Sequence, residues 1–200
     1  MDYYDLLAKR RMYRHFSSQP VPECVLARIL DSATRGPSAG FAQGFDFLVL
    51  DKRPTLDRFW ELATTQSWRE STTSHDRLWN APVVVLPLAN PDAYMKRYSE
   101  EDKRYANLRA ETDWPVPYWY IDTAFATMLI LNSVVNENLG ALFFGLFRNV
   151  DSIKNAFHIP SNFHPIGAIA IGYPTSTMQS PSSKRPRREH SSQIHFNAFS

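Results

Sequence analysis

Apolar residues along this chain recur alternately at helical and at strand spacing. Tyr3, Leu6 and Leu7, with Arg10 next on the same stripe, predict a short amphipathic helix over residues 2–10. After Pro20-Val21-Pro22, the positions Val25, Leu26, Ile29, Leu30 and Ala33 return every three or four residues. They predict a second helix over 23–35 that Gly36-Pro37 stops, with Cys24 read as buried filler. A small-residue turn at Ser38-Ala39-Gly40 leads into the β-rich run 45–50, which ends in polar Asp51-Lys52-Arg53-Pro54. Residues 56–62 read as helix, and the Thr/Ser-rich stretch 64–75 as surface helix or loop. The run 82–88 predicts a second, buried strand, with Pro87 arguing for an edge or a strand end. Residues 91–117 carry Tyr94, Tyr98, Tyr105 and Trp114 but show no period. They read as a long irregular segment, and at that length a loop in a compact domain is usually functional, so a lid is expected here.

Residues 118–139 contain neither Pro nor Gly and set Ile121, Phe125, Met128, Leu129, Asn132 and Val135 along one face. This predicts the longest helix, ended by Gly140. A third strand over 141–147, a short helix over 151–157 capped by Asp151, and a fourth strand over 166–171 follow. Helices alternating with strands imply an α/β or α+β sheet covered by helices. Past Pro174 the chain turns to Ser, Pro, Arg and Lys, then regains apolar residues at Ile194, Phe196 and Phe199, so the last segment is expected to dock on something. The reading is one domain over 1–200, with a core of 1–174 and a C-terminal arm of 175–200.

Composition narrows the class. Across 200 residues, 44% are hydrophobic and 21% charged, the balance of a folded globular chain. No apolar run approaches the roughly 20 residues of a membrane-spanning helix, and the start lacks a signal-peptide core, so a cytoplasmic protein without membrane contact is expected. One cysteine excludes an internal disulfide and a multi-thiolate zinc site. A net charge of +2 is too balanced for a chain devoted to coating a nucleic acid.

The basic residues are nevertheless clustered. Arg10, Arg11 and Arg14 sit at the end of the first helix, and Lys184, Arg185, Arg187 and Arg188 in the arm. Guanidinium groups suit phosphate because they stay charged and bond its oxygens in pairs; the plainer explanation is a solvated helix end and tail. The arm's cluster also has the pattern of a nuclear-import or nucleic-acid tag. Pro37-Ser38-Ala39-Gly40 would let backbone approach a planar ligand, or is simply a loop. Neither a G-x-G-x-x-G nor a P-loop motif occurs, the six histidines form no metalloprotease pair, and no serine has a nucleophile setting. Trp114, Tyr118, Trp119 and Tyr120 suit either helix-start packing or the stacking of a planar substrate.

Taken in order, these pieces resemble a family. The segments Lys9-Arg10-Arg11-Met12-Tyr13-Arg14-His15-Phe16 and Gly36-Pro37-Ser38-Ala39-Gly40-Phe41-Ala42-Gln43-Gly44-Phe45 are similar to the paired N-terminal signature of FMN-dependent nitroreductases. The strand at 81–85, the helix-to-strand segment 139–145, the last core strand at 166–174 and the basic tail resemble the family's later motifs, so the likeness spans essentially the whole chain. Met12 stands where a hydroxyl is common, Phe41 where Asn is common, and Gly44-Phe45 where Pro-Trp is usual.

The resemblance implies an α+β fold with a mixed central sheet flanked by helices, in a homodimer with FMN at the interface and an arm exchanged between subunits. On that reading Arg10, with Lys184, Arg187 or Arg188, holds the FMN phosphate, Arg11 is a further cofactor-binding residue, and Arg14 and Arg77 lie toward the ribityl and pyrimidine edge. Pro37, Ser38, Ala39, Phe41 and Gln43 would line one side of the isoalloxazine, Phe144 and Gly145 the other. Trp114 and Tyr118 would meet a small aromatic acceptor. The implied activity is hydride transfer from NAD(P)H through flavin to a nitroaromatic or quinone, with no metal and no catalytic side chain, since the cofactor carries the chemistry. A flavin-sequestering or redox-sensing protein, and a flavin-cleaving enzyme resembling the dimethylbenzimidazole synthases, stay open.

Overall fold

In the computed structural model, which describes residues 2–71, 78–175 and 185–199, the strand with the longest apolar run lies at the centre of the sheet. Strand β2 (Val83–Ala89) is buried along its whole length, with β1 (Phe45–Leu50) on one side and β5 (Ala168–Gly172) on the other. The strand order is β1-β2-β5-β3, where β3 (Gly140–Phe144) forms the far edge and the short β4 (His164–Pro165) pairs with the end of β2. Every strand pair is antiparallel. The mixed character expected of the sheet is confined to one parallel bridge, Met12 with Ala141, outside the named strands.

Because side chains alternate across a strand, β2 feeds two cores, and burial on both faces explains its unbroken Val/Leu run. Val84, Leu86 and Leu88 pack with Leu56, Phe59 and Trp60 of helix α3 (Arg53–Ala63) and Ile153 of α7 (Val150–Ala156). Val83 and Val85 face Leu26, Ile29 and Ala33 of α2 (Glu23–Ala33) and Ile130, Leu131 and Val134 of α6 (Tyr118–Asn136). Helix α1 (Tyr3–Lys9) is capped by Asp2, which accepts the Tyr4 N–H, and α4 (Gln66–Ser71) follows α3.

Several expectations are corrected. Pro87 does not mark an edge. Its carbonyl accepts the Ile166 N–H, so its missing donor falls on the same side, where the partner of β2 changes from β5 to β4. Residues 91–117 are not irregular, since α5 (Pro91–Tyr98) and two 3₁₀ segments, Glu101–Ala106 and Glu111–Asp113, occupy most of them. Asn149, not Asp151, precedes the first turn of α7. Cys24 is exposed.

The expected core face of α6 is also wrong. Its buried residues are Trp119, Asp122, Thr123, Ala126, Thr127, Ile130, Leu131 and Val134, whereas Phe125 on the expected face is 49% exposed. The buried threonines are tolerated because each hydroxyl donates four residues back, Thr123 to the Trp119 carbonyl at 2.6 Å and Thr127 to the Thr123 carbonyl at 2.8 Å.

Candidate functional site

The segment 36–44 links the end of α2 to β1. Gly40, Phe41 and Gln43 all hold positive φ (60°, 57° and 50°), which glycine accepts and Phe and Gln adopt only under constraint. Part of the constraint is internal. The Phe41 N–H donates to the Ser38 carbonyl, the Ala42 N–H to the Ala39 carbonyl, and the Gln43 N–H to Ser38 Oγ at 2.9 Å.

The remainder comes from outside the loop. The Ala39 N–H donates to Asp122 Oδ2 at 2.8 Å, the same oxygen that accepts the Tyr94 hydroxyl at 2.7 Å. Arg97 Nε donates to the Gly40 carbonyl at 2.7 Å while its guanidinium holds Asp102 through two further bonds of 2.7 Å. Burial, then the bond to Asp122, pushes the Tyr94 hydroxyl above the usual phenol range, so it remains a donor throughout the physiological range. With Ala39 and Ala42 packed inward, Phe41 is 73% exposed and Gln43 is exposed beside it.

Trp114 belongs to the packing beneath this loop. It is 8% exposed, with the rings of Tyr94, Tyr98, Tyr118 and Trp119 centred 4.6 to 6.0 Å away. Tyr118 is the exposed member of that group. Trp114→Ala is therefore expected to cost about 3–5 kcal/mol of stability, read as a lower midpoint in urea unfolding, the penalty of emptying an aromatic site in a packed core.

The second group of expected contacts lies elsewhere. Residues 10–14 run beside β3: Met12 bridges to Ala141, and the Tyr13 N–H donates to the Ala141 carbonyl. Among the described residues Arg11 and Arg14 donate only to nearby carbonyls, of Ala8 and Arg10 and of Met12 respectively. Among the described residues no carboxylate pairs with Arg10, Arg11 or Arg14. Phe144, at the end of the same strand, stacks on Trp60 with ring centroids 5.5 Å apart, so its ring faces the core; the Phe147 ring covers Gly145.

The two groups stand at opposite corners of the sheet. Phe45, which ends the first, pairs with Ala89; Met12 pairs with Ala141, which through Ile171 is level with Val83. Four strand spacings and six residues separate them, or roughly 20 Å in each direction for an untwisted sheet. A single chain thus brings Pro37, Ser38, Ala39, Phe41, Gln43, Trp114 and Tyr118 together, and Arg10, Arg11 and Arg14 together, without joining the two sets; Phe144, which pairs with Ala168 toward the other end of β3 from Ala141, and Gly145 lie between the two corners. Arg187 and Arg188 are exposed in the arm, and Arg77 and Lys184 lie outside the described residues. A cleft of about 420 Å³ lined by Val21, Glu23, Leu26, Lys52 and Leu56 coincides with neither set.

Among the described residues, no three His, Cys, Asp or Glu side chains are arranged to hold a metal ion, and no helix is long and apolar enough to cross a membrane. Sequence reasoning missed Asp122, Tyr94 and Arg97. Asp122 carried a signal: it is the one charged residue within the 19 of α6.

The Nitroreductase family pattern matches residues 7–173, and the chain belongs to that family. It is 25% identical over 178 residues to a Methanothermobacter thermautotrophicus protein named "putative NADH dehydrogenase/NAD(P)H nitroreductase", a match covering 87% of this chain and 78% of the other. The fold is shared with a nitroreductase family protein from Clostridium difficile 630 (TM-score 0.73, 19% identity, all of both chains). It is also shared with the NfrA1 nitroreductase of B. subtilis (TM-score 0.77, 17% identity, all of this chain and 75% of the other).

Proposed function

We propose that this chain is an FMN-dependent oxidoreductase that works as a homodimer and passes electrons from NADH or NADPH to a small electron-poor acceptor such as a quinone or nitroaromatic. The observation that carries this reading is the division of the site. In a chain of this family, an exposed loop held at positive φ and an arginine cluster that pairs with no carboxylate among the described residues occupy opposite corners of one sheet. Two copies related by a two-fold axis would bring the loop of one against the arginines of the other and make two complete sites.

The residues fit the cofactor. Arg10, Arg11, Arg187 and Arg188 form no ion pair among the described residues, and cations without a competing carboxylate suit a phosphate. Ser38 and Ala39 are small, and the exposed Phe41 and Gln43 stand beside them, a short ledge suited to a planar ring. Arg14, close to the β3 edge, supplies positive charge where electron density would accumulate on the pyrimidine side. FMN, when bound, supplies the two-electron exchange between nicotinamide and acceptor, while the chain's residues bind, orient and exclude water. Tyr118, exposed beside Trp114, would meet the acceptor.

The visible absorption spectrum of the purified protein, followed by NADH and NADPH oxidation with a panel of quinones and nitroaromatics, tests the reading. Flavin bands with acceptor-dependent turnover are expected. A colourless protein that takes up no added FMN would overturn it. A yellow protein idle with both nicotinamides would make it a flavin-holding protein without turnover.

A further inference from the structure

The loop 36–44 contains two non-glycine residues at positive φ, and its exposed Phe41 is not fixed by side-chain packing. Something else must hold it in one shape. The loop's internal bonds close the turn on itself but do not orient it on the sheet. Besides the Asn90 N–H that the Gly44 carbonyl accepts at the loop's end, two adjacent groups within the loop are held by side chains: the Ala39 N–H, bound to Asp122, and the Gly40 carbonyl, bound to Arg97. Of these anchors Asp122 is the rigid one. It is 3% exposed, sits within α6 at the level where Tyr94 of α5 passes, and accepts the Tyr94 hydroxyl on the oxygen that accepts Ala39. Arg97 lies nearer the surface and shares its guanidinium with Glu100 and Asp102.

We propose that Asp122 is the positioning residue of the flavin-facing loop, joining α5, α6 and the loop through one carboxylate oxygen so that the ledge of Ser38, Ala39, Phe41 and Gln43 is formed before a ligand arrives. This rests on the reading that residues 38–43 face the isoalloxazine. It explains a charge in an otherwise uncharged helix: the carboxylate receives two hydrogen bonds, and a charged acceptor holds a backbone N–H more strongly than a neutral one. It also explains why the loop keeps its costly φ values, since surroundings that over-determine a strained backbone are what allow it to persist.

The test separates ring affinity from phosphate affinity. Wild type, Asp122→Ala and Asp122→Asn are titrated with FMN and with riboflavin by flavin fluorescence, and each apoprotein is melted in parallel. Asp122→Ala is expected to weaken FMN and riboflavin by the same factor, at least tenfold, because the disturbed surface faces the ring that both share. Asp122→Asn keeps an acceptor oxygen and should recover most of that loss, with both dissociation constants within about fivefold of wild type but measurably raised. Lower melting temperatures with both affinities unchanged would make Asp122 a purely structural residue and overturn the proposal. So would a loss confined to FMN. If Asp122→Ala does not fold, Asp122→Asn decides alone: wild-type affinity for both ligands overturns the proposal, and a parallel loss supports it. Wild-type protein binding neither flavin would instead overturn the functional reading on which the proposal rests.

Discussion

Deletion of residues 176–200 is expected to leave a colourless monomer. Within one chain Phe196 and Phe199 are 82% and 92% exposed, and Ile194 is exposed as well. Full burial of such side chains is worth roughly 1.5–3 kcal/mol each, a gain that a partner surface would realise and the isolated chain forgoes. Arg187 and Arg188 lie on the same arm, and Arg188 donates to the nearby Ser192 carbonyl. One deletion thus removes the apolar grip and part of the proposed phosphate clamp. Light scattering and the visible spectrum of the truncated protein check both effects. A yellow dimer would remove the arm from either role.

Arg10→Ala is expected to raise the FMN dissociation constant between about 10- and 100-fold while leaving riboflavin nearly unchanged. A hydrogen bond to a charged group contributes about 1.5–3 kcal/mol, and only FMN carries the phosphate. Arg10 stands at the C-cap of α1, and no carboxylate pairs with it among the described residues. Fluorescence titration with both ligands measures the ratio. An equal loss for the two would place Arg10 away from the phosphate. Set beside the parallel loss expected of Asp122→Ala, this contrast assigns the two corners of the sheet to opposite ends of one ligand.

Elements with one dominant face were readable from the amino-acid order. Leu26, Ile29 and Ala33 announce α2 because they form its buried stripe, and the small residues from Ser38 to Gly40 mark the loop. α6 was legible as a helix but not in its orientation. It is apolar nearly all round, and the polar members of its inner face, Thr123 and Thr127, satisfy themselves on their own backbone. Periodicity cannot rank two apolar faces when the cost of burying a hydroxyl has been removed locally. Pro87 misled for a related reason, because the consequence of a missing donor depends on which neighbour would have received it. The Arg10 and Phe41 segments were each recognisable. Their separation was not, for it follows from strand order, which pairing partners far apart in the sequence decide. Asp122 and Tyr94 meet only after α5 and α6 have packed.

Strand β2 also constrains how the protein can be made. Its second long neighbour is β5, so Val83, Val84 and Val85 wait for Ile171, Ala170 and Ile169, nearly 90 residues later. On the ribosome, at about 5–20 residues per second, that interval lasts several seconds, during which the most apolar strand of the chain has at most one flank covered. Any synthesis that stalls between β2 and β5 leaves a long unpaired Val-rich edge, the kind of surface on which nascent chains associate with one another. Until residue 172 is made, that edge has no long partner strand from its own chain.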